Sequence, residues 1–308
     1  MSTMRGLTSK LVMYENFWYM TNSSIFRNVL SIQKNFVAKD TDIFITGLPK
    51  TGTTWLKSLL YAIVNRTNHP INQSPLLSHH PQELVYNLES DVYNEAFDYP
   101  RPNNLNELPS PRLLSTHISY MSIPESIKTS GCRILYICRN PLDVIVSAYY
   151  FTLGFVKNTI KDKDDQDSIV LPRLEDFYED FCDHVLEYWK ASLERPDKVL
   201  FLKYEDLIDH PVLHLKRLAE FIGMPFSSKE DNEGVVQQII DFCSIKNMKG
   251  LDVNKNGVIN KFFEKKSYFR KGEVGDWANH LTPFMVERID RLMQEKLEGT
   301  GLSLKLHL

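Results

Sequence analysis

The sequence predicts an α/β protein, a single domain over residues 1–308 built on a central parallel sheet flanked by helices. Three observations predict it. Short apolar runs alternate with amphipathic segments three times along the chain, the order that a parallel sheet requires. Each apolar run is continuous and lacks the in–out alternation of a half-exposed strand, so both of its faces are expected to be covered. The first run opens into a glycine-bounded loop that feeds a helix, an arrangement suited to phosphate.

The first unit is a strand over residues 42–46 (DIFIT), a Gly/Pro loop, then a helix over 54–65. The second is a strand over 133–138 (RILYIC), a loop holding Pro141, then a helix over 142–150. The third is a strand over 199–202 (VLFL), a polar turn, then a helix over 211–222 that Gly223 stops. In that helix Val212, Leu215, Ala219 and Ile222 share one face. A further amphipathic helix over 176–194 aligns Phe177, Phe181, Val185 and Tyr188. Loops are expected over 65–81, 99–111 and 157–172, the last with the charged run KDKDDQD. Ligands on parallel sheets sit at the carboxyl ends of strands. The residues just after Thr46, Cys138 and Leu202 are therefore the places for a site.

Composition narrows the function. Apolar residues make up 43% and charged residues 24%, which excludes a mainly disordered chain, a collagen and a coiled coil. A net charge of −3 gives no general basic field for nucleic acid. Four cysteines without CxxC spacing do not make a disulfide scaffold, and no HExxH or Cys/His cluster suggests zinc. Arg5, Lys10, Glu15 and Arg27 interrupt the apolar runs near the N-terminus, so no signal peptide is expected. The longest uncharged stretch, 144–156, is shorter than the roughly 20 residues of a membrane helix. A soluble, cytoplasmic chain without a metal is the expectation.

The chemistry concentrates in three clusters. The first is Gly47-Leu-Pro-Lys50-Thr51-Gly52-Thr53-Thr54-Trp55, a G-x-x-x-x-G loop between strand and helix. Its glycines permit close backbone approach, and the helix N-terminus favours an anion. A nucleoside-triphosphate loop of this kind carries Lys directly after the second Gly, whereas here Lys50 lies inside the loop. It is therefore placed to reach an atom beyond a nucleotide 5′-phosphate.

The second cluster is Arg139, with Asp143 and Ser147 on the helix that follows; a guanidinium there either grips phosphate bidentately or pairs with Asp143. The third is the segment 246–271, with eight basic and two acidic residues and a local charge of +6 on an otherwise acidic chain. It reads as a loop-like lid, with Arg270-Lys271-Gly272 its best anion-binding part. Among the histidines, His79 and His80 are neighbours in a loop, where exposure is expected. His117 follows the strand-like run Arg112-Leu-Leu-Ser-Thr116, a good position for a general base near neutral pH. The residues alone leave open a P-loop small-molecule kinase and a non-catalytic nucleotide-binding protein beside a transferase.

Taken together, these pieces resemble the cytosolic sulfotransferase family, most closely its plant members. Residues 49–55 resemble its P-K-[ST]-G-T-T-W loop, and residues 136–147 its second signature. Tyr204-Glu-Asp is similar to its adenine-side motif. Residues 270–277 match R-K-G-x-x-G-D-W, and residues 112–117 resemble the strand of its catalytic histidine. The resemblance implies transfer of a sulfuryl group from 3′-phosphoadenosine 5′-phosphosulfate (PAPS) to a hydroxyl of a small acceptor, without a metal. It implies that Lys50, Thr51, Gly52, Thr53 and Thr54 hold the 5′-phosphate. Arg139, Ser147, Arg270, Lys271 and Gly272 would hold the 3′-phosphate, and Trp55 and Tyr204 would flank adenine, beside Cys243 and Ser244. His117 would be the base and Lys50 would stabilise the leaving group.

Some positions depart from the pattern. Ser115 stands where many animal members have Lys, and Ile245 where an aromatic is common. The animal dimer motif lacks its Lys and Val near Thr282, so a monomer is expected. Tyr14, Phe17, Trp18, Tyr19, Tyr120, Met121, Phe151 and Phe155 are the candidates for a flat, apolar acceptor pocket, to which residues 1–38 would contribute.

Overall fold

The computed structural model describes residues 3–5, 10–15, 17–20, 24–94, 102, 104–159, 174–260 and 263–306. Its strands run in chain order as β1 (Thr3–Arg5), β2 (Lys10–Tyr14), β3 (Phe17–Met20), β4 (Ile43–Thr46), β5 (Tyr86–Asn87), β6 (Leu113–Thr116), β7 (Arg133–Cys138), β8 (Val199–Lys203), β9 (Val258–Ile259) and β10 (Phe263–Glu264). The central sheet has the order β5-β6-β4-β7-β8, and every pairing in it is parallel. The strands β1–β3 form a separate antiparallel sheet, and β9–β10 a small hairpin.

The longer helices are α1 (Ser24–Asn35), α2 (Thr53–Asn65), α3 (Pro141–Thr159), α4 (Leu174–Glu194), α5 (Pro211–Phe221), α6 (Val235–Cys243) and α7 (Pro283–Leu297). They cover both sheet faces, as the continuous apolar strands require. On one face Phe44, Leu114, Ile134 and Tyr136 pack with Val29 and Ile32 of α1, Val185 and Tyr188 of α4 and Ile289 of α7. On the other, Ile43, Ile45, Leu135 and Ile137 pack with Leu56, Leu60 and Ile63 of α2 and Ile239 of α6. Successive strand residues thus serve opposite cores. Each such large side chain, fully buried, contributes roughly 1.5–3 kcal/mol.

The register places Thr46 beside both Thr116 and Tyr136, so the carboxyl ends of the three middle strands lie in one row. Because β5 and β6 lie on one side of β4 while β7 and β8 lie on the other, that row is a topological switch point, where α/β sheets open a crevice.

Several expectations need correcting. The helix after Pro141 runs on to Thr159 rather than ending at Tyr150, because Phe151 and Phe155 both stack on Phe263 of β10. The charged run 161–167 lies outside the described residues, and so does the side chain of Phe177. Residues 65–81 hold two short 3₁₀ turns, Ile71–Gln73 and Pro75–Leu77. His79 is exposed, but His80 is buried: its Nδ1 accepts the Gln82 N–H at 3.1 Å as a helix cap, and its ring packs on Tyr268 and Phe269. In α5, Leu215 and Ala219 are buried, as is Ile222 just beyond it, while Val212 at the first turn is 42% exposed. The segment 246–271 is not a plain loop; it contains the short helix Asp252–Lys255 and the β9–β10 hairpin, tied down by Lys265–Glu83 at 2.8 Å. No helix among the described residues is long and apolar enough to cross a membrane.

Candidate active site

Above the row of strand ends lies a cavity of about 420 Å³. The loop after β4 forms its floor. Lys50 has φ 74°, a left-handed conformation at the loop apex, and Gly52 has φ 108°. A Cβ at Gly52 would meet the Tyr204 ring at 2.6 Å, so only glycine fits between loop and ring. The Thr51 hydroxyl donates to Leu48 O at 2.8 Å and is buried, which makes it a brace of the loop rather than part of the cavity lining. Thr53, Thr54 and Trp55 line the cavity at the N-terminus of α2, where unpaired amides favour an anion. The three threonines are thus split: Thr51 turns inward to hold the fold, while Thr53 and Thr54 face the ligand space.

A cationic wall beside this anion-favouring floor comes from the end of β7 and the chain after residue 269. Arg139 Nη2 donates to Glu273 O at 2.6 Å and lies 3.4 Å from Asp143, with its guanidinium 4.4 Å from the Tyr204 ring centre. The two readings of Arg139 are therefore compatible, since it pairs with Asp143 and still lines the cavity. Asp143 also accepts the Gly275 and Trp277 amides, at 2.9 and 3.1 Å, and so fastens the 270–277 segment over the sheet. Arg270 and Lys271 both bind buried Asp276, at 2.6 and 2.5 Å. Burial works against that carboxylate's charge, but the two hydrogen-bonded cations outweigh it and hold Asp276 well below the usual range.

Tyr204 donates to Gly272 O at 2.7 Å and meets Trp55 edge-on at 5.2 Å, the two rings forming one side of the cavity. Ser147 lines it as well. Lys271 does not, because Asp276 draws its ammonium away.

His117 stands directly after β6. Its Nδ1 lies 2.5 Å from Gly47 O, so that nitrogen carries the proton and Nε2 is left with a free lone pair. The His117 backbone N–H donates to Glu89, whose other oxygen accepts the Thr116 hydroxyl at 2.8 Å. Burial lowers the His117 pKa below its ordinary 6.5, against the opposing pull of Glu89. The imidazole is then neutral and basic at pH 7.

Lys50 lines the cavity. Its ammonium lies 3.9 Å from the Phe151 ring centre and 3.5 Å from Ser267 O. Burial, with Arg270 and Arg139 nearby, lowers its pKa from 10.5 to about 7. Phe151 forms an aromatic wall with Phe263 and Tyr268, and Ile25 and Val29 of α1 complete the apolar part.

The remaining expected residues lie elsewhere. Cys243 is fully buried and does not line the cavity, Ser244 caps a short helix by accepting the Asn247 N–H, and their neighbour Ile245 is the lining residue. Tyr14 packs on Phe26 and donates to Gln33; Tyr120 packs on Tyr188; Met121 is half exposed. Phe155 stacks on Phe263 and is not among the residues lining the cavity. The side chains of Phe17, Trp18 and Tyr19 lie outside the described residues. Ser115 is buried and donates to Tyr86 O at 3.3 Å.

Sequence reasoning missed Glu89, Asp91 and Lys57. The two carboxylates sit on a single π-helical turn, Leu88–Val92, and Lys57 lies on the buried side of α2. A lysine within an otherwise apolar helix face was the one legible signal.

Two tests show whether a bisphosphorylated adenosine suits this cavity. Buried Nε atoms of Arg139 and Arg270 and Nε1 of Trp55 have no partner, so donor capacity is held open on the cationic side. Gly52 and Gly272 keep the backbone close to lining side chains: a Cβ at Gly52 would meet the Tyr204 ring at 2.6 Å, and one at Gly272, which has φ 71°, would meet Ile245 at 2.8 Å. The residues fit an aromatic base flanked by two anions.

Comparison with known proteins agrees. A family model for the sulfotransferase domain matches residues 40–301. The chain is 41% identical to cytosolic sulfotransferase 8 of Arabidopsis thaliana, over 96% of this chain and 88% of the relative. It is 44% identical to a flavonol sulfotransferase-like protein of Flaveria bidentis, over 98% and 96% of the two chains. A solved Arabidopsis thaliana protein, proposed to be a steroid sulphotransferase, superimposes with a TM-score of 0.72 at 34% identity, covering 99% of this chain and 92% of that one. Mouse sulfotransferase SULT7A1, solved in complex with PAP, superimposes with a TM-score of 0.66 at 27% identity, covering 94% of each chain. With the loop, the cationic wall and the strand-end histidine in place, the chain belongs to the sulfotransferase family and is a transferase of the plant cytosolic type.

Proposed function

We propose that the protein transfers a sulfuryl group from PAPS to a hydroxyl of a small, largely apolar acceptor. One observation carries the reading: two separate anion-binding walls open into the same cavity as an unprotonated histidine nitrogen. A donor with phosphates at both the 3′ and 5′ positions needs two such walls. The PAP complex of the mouse relative supports the choice.

The loop amides with Thr53 and Thr54 hold the 5′-phosphate. Arg139, Ser147, Arg270 and the Gly272 amide hold the 3′-phosphate, and Trp55 and Tyr204 flank the adenine. When bound, the donor supplies an activated sulfuryl group on a phosphate leaving group. His117 Nε2 takes the acceptor's hydroxyl proton, a contribution of about 10²–10⁴-fold. Lys50 holds its Nζ proton toward the oxygen that becomes charged, a stabilisation of about 10²–10³-fold.

Phe151, Phe263, Ile25 and Val29 support an apolar, hydroxylated acceptor of the flavonoid, steroid or hydroxyjasmonate kind. Ile25 and Val29 also support a share for residues 1–38 in the acceptor side. Ile259, Tyr268 and Arg270 support a lid role for 246–271. We further propose a cytoplasmic monomer.

The test is a thermal-shift titration with 3′,5′-bisphosphoadenosine in EDTA, set against ATP with Mg²⁺. Bisphosphate at 100 times its dissociation constant adds about 2.7 kcal/mol. A rise in Tm with the bisphosphate and none with ATP is expected. A shift with ATP and Mg²⁺ alone would overturn the reading in favour of a kinase.

A further inference from the structure

His117 is held by three hydrogen bonds from three separate segments. Its Nδ1–H goes to Gly47 O. Its carbonyl accepts from His184 Nε2 at 3.2 Å, and His184 Nδ1 is in turn set by the Tyr136 hydroxyl at 3.0 Å. Its N–H goes to Glu89. Only the last partner brings a charge. Glu89 is 5% exposed, and its two oxygens grip Thr116 and His117, the residues on either side of the point where β6 ends. The Thr116 hydroxyl oxygen also accepts the Ile118 N–H at 3.1 Å, which tightens the same junction.

A buried carboxylate is a costly way to cap two neutral donors, because an amide oxygen would do so without desolvating a charge. Lys57 offsets part of that cost. It is 2% exposed, donates to Gln82 and to Val85 O at 3.0 Å, and has its lowered pKa of about 8 pulled back upward by Asp91 and Glu89. Asp91 is committed to its own turn and to Asn260, through the Asn87 amide at 2.7 Å and the Asn260 amide at 3.0 Å.

We propose that Glu89 is the positioning residue of the base: it locks the Thr116–His117 junction, and its charge stabilises the imidazolium that forms when Nε2 takes the acceptor proton, with Lys57 limiting that stabilisation. In the step the acceptor O–H bond breaks and an Nε2–H bond forms, so a positive charge appears beside Glu89 as the acceptor oxygen gains electron density. The proposal rests on His117 being the base. The groups that face His117 are Glu89 and Asp91, which favour its protonation, and Lys57, which opposes it. Burial keeps His184 neutral, with its pKa near 3.

The experiment is a ¹⁵N-imidazole NMR titration of the ligand-free protein, with His117→Asn used to assign the resonance. Wild type, Glu89→Gln and Lys57→Met are compared. Glu89→Gln keeps an acceptor for the His117 N–H but removes the charge, so the His117 pKa falls. Lys57→Met removes the opposing charge, so it rises. Turnover of Glu89→Gln falls by up to about tenfold for each pKa unit lost, with acceptor KM within about twofold.

Shifts in opposite directions support the proposal, since general loosening would move both variants toward the solvent value. Shifts in one direction, or no shift, overturn it. If Glu89→Gln does not fold, Lys57→Met is compared with Lys57→Arg, which keeps the charge: a rise in the Met variant that the Arg variant lacks supports the proposal, and equal shifts overturn it. Wild-type turnover in His117→Asn would overturn the base assignment instead, while leaving the titration result standing.

Discussion

The cationic wall and the histidine corner face each other across one cavity, yet they are built on opposite rules. The wall keeps donors open: Nε of Arg139, Nε of Arg270 and Nε1 of Trp55 are buried without partners. The corner closes them: the His117 N–H, carbonyl and Nδ1 and both Glu89 oxygens are all bonded, and Nε2 alone is left. A binding wall needs unspent capacity for a charged ligand. A proton acceptor needs one atom free and every other atom fixed, since small misplacements weaken proton transfer. The contrast predicts that substitutions in the wall change affinity and substitutions in the corner change turnover.

The largest effect tests the corner. His117→Ala lowers turnover by about 10²–10⁴-fold while leaving 3′,5′-bisphosphoadenosine affinity unchanged, as read by single-turnover kinetics and calorimetry. In wild type the acid limb of kcat/KM lies below pH 6.5, because the neutral imidazole is the active form and its pKa is lowered. A loss of affinity in this variant would merge the two regions. Next comes the wall: Arg139→Ala weakens bisphosphate binding by about 10–100-fold, the worth of a charge-assisted hydrogen bond. Its effect on the His117 titration is nil if the regions are separate.

The loop that joins them is tested by stability. Gly52→Ala places a Cβ 2.6 Å from the Tyr204 ring at φ 108° and costs about 1–3 kcal/mol in urea unfolding. Gly154→Ala, in α3 with nothing within 4 Å of the new Cβ, gains about 0.5–1 kcal/mol.

The smallest effect lies at Lys50, in the loop on the side of Arg139 and Arg270. Its pKa of about 7 leaves it mostly neutral at pH 8 in the ligand-free protein. An anion bound nearby raises that pKa, so binding takes up as much as about one proton at pH 8. Calorimetry in buffers of different ionisation enthalpy reads this uptake, and Lys50→Met removes it. Proton release on binding would show that the ammonium is not turned toward the anion.

The wall was legible because its residues are contiguous. Residues 47–55, 139–147 and 270–277 each carry a strand end or a turn together with its charged side chain, so the loop pattern pointed to an anion, and the resemblance joined Arg139 and residues 270–277 to it. The corner was only half legible. His117 announces itself by following a strand, but Glu89 and Lys57 come from a turn and a helix with no shared motif. Candidates chosen for aromaticity fared differently: Phe151 lines the cavity, whereas Tyr14 and Tyr120 went to the core, since a large apolar side chain is equally suited to either.

By itself the sequence determined the parallel sheet, the order of its units and the phosphate loop. These follow from local rules: continuous apolar strands, helix periodicity and glycines where the backbone must turn. Only the tertiary structure decided which buried charges meet. Whether Glu89 faces His117 or solvent depends on the register of β5, β6 and β4 and on how α2 packs behind them, and Coulomb energy depends on distance in space, not along the chain.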